Sequence, residues 1–236
     1  IGCSWTQGHN LHYTNTYPFI LHDLMTKNQV INAGRSGASW FNYPQTVKYI
    51  HQKYDPDYYV IQHTTPDRGM LLWCSDKKRY SIITRDHDVY DNYIQLWDNS
   101  QCYYHLTVGM AEKLVSGSNP EITDHMFSEI KRKSGLDKEA VVSRVKYWLE
   151  HERLHPLMFD KYEESIEYCN LYINSIGKKA INLFWLDNTF VIKTQNQFIV
   201  EKEIDFKKYV VDDGYHFEKE GNTELAKLLK RRFFSG

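Results

Sequence analysis

The first 65 residues alternate short apolar runs, each closed by glycine or a polar turn, with stretches at helical spacing. This grammar limits the fold more than any other feature of the chain. Ile1 reads as the tail of a strand. Pro18 to Met25 is apolar at helical spacing through Phe19, Ile20 and Leu24, and Pro18 suits a first helical turn. Gln29 to Asn32 reads as a short strand that breaks at Gly34. Residues 43–54 read as a second helix with Val47 and Ile50 inward. Asp55-Pro56-Asp57 is a turn, and residues 58–62 form a β-branched and aromatic run, the mark of a buried strand. Strands that alternate with helices predict a mostly parallel sheet with right-handed crossovers.

The same grammar returns late in the chain. A helix is predicted from Asp137, with Val141, Val145, Trp148 and Leu149 on one stripe. Another runs from about Tyr162 to Ile176 and stops at Gly177, a good residue for leaving a helix. Ala180 to Trp185 then reads as a strand, and Phe198 to Val200 as one more short strand or part of a loop. Asn222 to Phe233 is a closing helix with Lys230, Arg231 and Arg232 where positive charge suits the dipole. Between the two α/β parts, from about Arg68 to the Gly117-Ser118-Asn119-Pro120 turn, the chain is polar and aromatic with weak periodicity. It reads as a long insertion, taken as 68–136, in a single domain of 236 residues. Such insertions shape binding sites or mediate contacts, here with a virion or a second copy of the chain.

Composition narrows the function. Net charge is −1, which lacks the electrostatic footprint of a nucleic-acid binder. No apolar run approaches the ~20 residues of a membrane helix. Cys3, Cys74, Cys102 and Cys169 are scattered without a zinc or disulfide spacing. The chain opens without Met at the end of a strand, so upstream residues are expected, and virion-associated and cytoplasmic locations both stay open. Eighteen tyrosines suit either an aromatic-rich core or a wet aromatic surface such as a sugar-binding groove.

Four segments carry chemistry-bearing residues. The first is Gly2-Cys3-Ser4-Trp5-Thr6, a serine at the end of a strand, where α/β folds place ligands. The second is Asn32-Ala33-Gly34-Arg35-Ser36-Gly37, a glycine-bearing loop whose N–H groups can converge on an oxyanion. The third is Gln62-His63-Thr64-Thr65-Pro66-Asp67-Arg68, at the same predicted sheet edge. The fourth is Asp213-Gly214-Tyr215-His216, just before the last helix. A serine hydroxyl is a weak nucleophile until a base takes its proton. His216 suits that base, and Asp213 suits the group that fixes its tautomer.

In order and spacing these segments resemble the SGNH/GDSL hydrolase family. Gly2-Cys3-Ser4 looks like its first block, the Asn32–Gly37 segment like its second, and Asp213-Gly214-Tyr215-His216 like its last. The resemblance implies a three-layer α/β/α sandwich, flavodoxin-like, with a mostly parallel sheet. It implies Ser4, Asp213 and His216 as catalytic residues and Gly37 as an oxyanion donor, with no cofactor and no metal. The implied reaction is acyl transfer through a serine ester, on an acyl or acetyl group of a carbohydrate or similar ester. Two positions depart from the family pattern. Cys3 stands where an Asp is usual. The third block lacks the oxyanion Asn, and Thr64 or Thr65 falls nearest that place. The G-C-S-W-T opening with T-x-P-x-R in the third block looks like a branch carried by bacteriophages.

Two rival readings belong to other classes. One is a non-catalytic binding or structural module that keeps the fold, for example in a phage particle. The other is a zinc hydrolase, because His151-Glu152-Arg153-Leu154-His155 fits H-E-x-x-H. Pro156 follows at once and works against a helix that continues through the motif. His9 and His12 follow the Ser4 turn, within reach of a pocket there. They, His63 and His87 otherwise read as solvated or packed side chains.

Overall fold

Most of the longer helices begin at a proline or a capping side chain. In the computed structural model, residues 1–8, 11–26, 28–35, 38–72, 84–90, 92–98, 103–185, 194, 196–210 and 216–234 are described, with backbone alone at 5, 72, 84–90, 97, 98, 103 and 206. A single turn, α1 (Ser4–Gln7), leads to α2 (Tyr17–Leu24), which has Pro18 in its first turn. Strand β1 (Val30–Asn32) is followed by α3 (Tyr43–Tyr54), with Pro44 in its first turn, and then β2 (Tyr58–Gln62). Four strands come next: β3 (Gly69–Leu72), β4 (Thr84–Tyr90), β5 (Tyr93–Asp98) and β6 (Tyr103–Leu106). Helix α4 (Val108–Ser116) is capped by Thr107, α5 (Pro120–Ser134) by Asn119 and α6 (Lys138–Tyr147) by Asp137, each side chain accepting from a backbone N–H. A π turn over Trp148–Glu152 separates α6 from α7 (Pro156–Ser175). The chain ends through β7 (Lys179–Phe184), β8 (Gln197–Ile199), two single turns α8 (Val200–Glu203) and α9 (Phe206–Tyr209), and α10 (Lys219–Phe233).

The molecule is a mixed α/β fold with open, largely parallel sheets. β2 pairs parallel with β7, and β7 parallel with β8. β1 pairs parallel with β5, which pairs antiparallel with β4. Ile1 and Gly2 join these two sheets. The Ile1 amino group donates to Val60 O at 3.0 Å, Gln62 N donates to Ile1 O at 2.9 Å, and Gly2 bridges Gly34 in parallel. Read across, the order is β4, β5, β1, Ile1–Gly2, β2, β7, β8, and only β4 runs against the rest.

Side chains alternate across this sheet. Tyr59, Ile61, Ala180 and Phe184 pack with Val47 and Ile50 of α3 and Ile166, Cys169 and Ile173 of α7. Val60 and Leu183 pack instead with Leu21 of α2 and Leu225 and Leu229 of α10. The two clusters lie on opposite faces, as a strand period of two requires. A third cluster gathers Leu71, Leu106, Leu114, Ile130, Val145 and Trp148 around α4, α5, α6 and the antiparallel β3–β6 ladder.

Among its described residues, the segment read as a weakly periodic insertion therefore holds four strands and two helices. β5 is a strand of the central sheet, and its Tyr93, Ile94, Gln95 and Leu96 are all buried. A strand covered on both faces shows no alternation, which hid it from a period-two search. Helix α7 starts six residues before the sequence suggested, because Pro156 opens a helix after the π turn closes one. Among the described residues, no helix is long and apolar enough to cross a membrane.

Candidate active site

Ser4 is the first residue of α1, immediately beyond the carboxyl end of the Ile1–Gly2 segment. The turn closes tightly: Cys3 O accepts from both Thr6 N and Gln7 N at 3.0 Å. Gln62, the last residue of β2, holds it from the side. Its Oε1 accepts from Cys3 N at 2.9 Å, from Cys3 Sγ at 3.2 Å and from Thr6 Oγ1 at 3.2 Å, while Nε2 donates to His63 O. Asn32 braces the other side. Its Nδ2 donates to Thr6 O at 3.2 Å and to the Tyr93 hydroxyl at 3.0 Å, and its Oδ1 accepts from Gly34 N at 2.8 Å. Gly34 must be glycine for a steric reason. A Cβ there would lie 2.7 Å from Gln7 N and 2.8 Å from Thr6 C, both backbone atoms of α1.

His216 arrives from the opposite end of the chain. Phe217, next to it, is buried against Trp185, edge to face at 5.2 Å, and bridges Val210. Asn222 in the first turn of α10 donates to Phe217 O and Glu218 O, and its Oδ1 accepts from Tyr17 N at 3.1 Å. One amide thus fixes the start of α10 to the start of α2. The outcome is a contact across 212 positions: Ser4 Oγ lies 2.8 Å from His216 Nε2. In the tautomer protonated at Nδ1, the serine hydroxyl donates to Nε2, the arrangement that general-base catalysis needs. Ser4 is buried and His216 is half-buried.

The other site residues expected from sequence divide three ways. Asp213 and Gly37 lie outside the described residues. Thr65 is exposed. Thr64 is buried, and its hydroxyl lies beside the Tyr43 phenol without a well-formed hydrogen bond among the described residues. Aromatic donors hold the loop that carries both threonines: Tyr43 OH donates to Gln62 O, Tyr162 OH to Thr64 O and Trp40 Nε1 to Pro66 O. Tyr17, Tyr43, Tyr59, Tyr93 and Tyr162 are buried, so these tyrosines serve the core and the loops under the site rather than a wet surface.

Cys3 is buried with its thiol on Gln62, so at this position the side chain supports the turn. Gln62 itself lay in the third segment without an assigned role. A polar residue closing an otherwise apolar strand was the available signal. His12 is exposed and hydrogen-bonded to Thr14 Oγ1, while His9 and the His87 side chain lie outside the described residues. Cys169 is a free, buried thiol like Cys3, and Cys74 and Cys102 lie outside the described residues.

The H-E-x-x-H segment does not lie on one helix. His151 sits in the π turn and is exposed, whereas His155 is the cap of α7, where its Nδ1 accepts from Leu157 N at 3.2 Å. The helical break between them removes the one-turn spacing that zinc sharing requires. Among the described residues, no group of three or more His, Cys, Asp or Glu is placed to hold a metal ion.

A small cavity of about 30 Å³ beside Gly2, Gly34 and Arg35, and a groove of about 410 Å³ at the amino ends of β1 and β2, are lined by neither Ser4 nor His216. In sequence, the chain matches no protein-family model and no curated protein.

Proposed function

We propose that this protein is a serine ester hydrolase of SGNH type. The observation that carries the reading is the 2.8 Å approach of Ser4 Oγ to His216 Nε2, made by the two residues that the family resemblance pairs. The opposite placing of the α3/α7 and α2/α10 clusters supports the three-layer α/β/α sandwich that goes with it.

The chemistry is that of the family resemblance, with the Ser4–His216 contact as its structural support. Ser4 Oγ attacks the acyl carbonyl carbon as its proton passes to His216 Nε2. The Ser4 N–H, at the start of α1, and the Gly37 N–H receive the oxyanion, and Thr64 or Thr65 supplies a hydroxyl in place of the family's Asn. His216 returns the proton to the departing alkoxide, leaving an acyl-serine. Water then attacks, giving its proton to His216, and Ser4 leaves with that proton. Asp213 orients the imidazole. Without that hydroxyl the site would lack one oxyanion donor, a loss that costs roughly 3–4 kcal/mol of transition-state stabilisation; the expected substrate is an acyl or acetyl ester of a carbohydrate.

Labelling with a fluorophosphonate probe, read by peptide mass spectrometry, tests the reading. The adduct is expected on Ser4 alone and is expected to disappear in Ser4→Ala and in His216→Ala. A folded protein that takes no adduct while a control hydrolase labels would end the esterase reading and favour a binding or structural role for the same fold.

A further inference from the structure

Strand β6 alternates. Tyr104 and Leu106 pack into the third cluster, and His105 between them turns to the other face. There it meets the chain between Gly34 and α3. Ser39 N donates to His105 Nδ1 at 3.2 Å, and both residues are buried. A buried backbone N–H needs an acceptor, and here a ring nitrogen supplies it. That donor also fixes the tautomer. Nδ1 offers its lone pair, so the neutral imidazole carries its proton on Nε2. Nε2 lies 3.5 Å from Asn42 Nδ2, and the Nε2 proton asks for the oxygen of that amide in the same place.

The Ser39 bond anchors one end of a short loop. At the other end Arg35 N donates to Gly2 O at 3.0 Å, two residues before Ser4, and Ala38 N donates back to Arg35 O at 3.1 Å. Gly37, whose N–H the proposed mechanism aims at the oxyanion, lies in sequence between the two anchors. Beyond Ser39 the chain makes one 3-10 turn, Trp40–Asn42, and enters α3. Ser39 Oγ donates to Arg68 O at 3.1 Å. Arg68 closes the threonine-bearing loop, which runs straight into β3, and Met70 of β3 is the residue paired with His105. The imidazole thus stands on a ladder that continues from one loop and reaches across to the other.

We propose that His105 is a positioning residue for the reaction at Ser4. As the neutral tautomer protonated at Nε2, it holds the glycine-bearing loop in place through the Ser39 N–H. Its catalytic consequence rests on the esterase reading; the hold itself rests on the hydrogen bond alone. The insertion over 68–136 thereby gains a part in the site, because β6 brings one of its side chains onto a loop whose Gly34 packs against α1.

Two readouts test this. In the wild type at pH 7, proton–nitrogen correlation spectra of the histidine rings are expected to show His105 protonated at Nε2 and bare at Nδ1. The opposite tautomer, or an imidazolium, overturns the proposal. The second readout compares His105→Asn, whose Oδ1 falls near the place of Nδ1, with His105→Gln, whose oxygen falls near the place of Nε2. Fluorophosphonate labelling is resolved into initial binding and the chemical step. His105→Gln is expected to slow the chemical step at Ser4 by about tenfold to a hundredfold with initial binding unchanged. It is also expected to speed exchange of the Ser39 amide by about tenfold or more. His105→Asn is expected to stay close to the wild type in both. Equal slowing in the two variants, or slowing in neither, overturns the proposal, and if His105→Gln does not fold the ring tautomer decides it. A wild type that takes no probe would end the esterase reading, while the tautomer and the Ser39 exchange still decide whether His105 holds the loop.

Discussion

At the scale of single residues, buried polar side chains do most of the positioning near Ser4. His63 is an informative case. Its Nε2 donates to Asn182 Oδ1 at 2.7 Å, its ring stacks on Phe184 at 4.7 Å, and its Nδ1 is buried without a hydrogen bond among the described residues. Burial pushes this imidazole down from 6.5 to about 4. The unfolded chain therefore binds a proton that the folded protein refuses across that window. Stability is full above about pH 6.5 and falls as pH drops towards 4, by about 3 kcal/mol. Urea unfolding at pH 7 and pH 4.5 should show the loss, and His63→Gln should flatten it. An unchanged acid slope in the variant would assign the loss to other groups.

At the scale of elements, close backbone approach sets the Ser4 turn. Gly34→Ala pushes a methyl group onto the backbone of α1, which has no soft side chain there to yield. The variant should lose about 1–3 kcal/mol of stability. Its Ser4 should label with fluorophosphonate at least about tenfold more slowly, because the nucleophile is displaced from its base. Gly109→Ala is the control. It lies in α4 with open space around its Cα, and should be stabilising by about 0.5–1 kcal/mol with labelling unchanged. Equal labelling in both variants would mean that the turn tolerates displacement. Helix ends were legible for related local reasons: Asp137 caps α6, and Gly177 leaves α7 with φ of +73°. The π turn after α6 was not legible, because it arises where Trp148 packs into the third cluster rather than from a local signal.

At the scale of the whole molecule, three cores divide the labour. Two lie on opposite faces of the sheet that carries Ser4, and the third binds α4, α5 and α6 to the β3–β6 ladder. Ile130 of α5 is fully buried in the third. Ile130→Ala should cost about 2–5 kcal/mol. Amide exchange followed by mass spectrometry should speed up in α4–α6 while β2 and β7 keep their protection. Uniform acceleration across all strands would show instead that the three cores melt as one unit.

The sequence by itself determined what is local. Period and punctuation located α2, α3, β2, β7 and α10 to within a few residues, because apolar spacing, proline starts and glycine stops act over one or two turns of chain. It also marked Ser4 and His216 as chemically suited partners. Only the tertiary structure decided that they meet, since the 2.8 Å contact depends on Gln62, Asn32 and Asn222, each bonding to atoms far away in sequence. It likewise decided that β5 belongs to the central sheet and that the two histidines of H-E-x-x-H fall on different helical segments. Burial on both faces erases periodicity, and whether a side chain braces a distant turn is written in packing rather than in spacing.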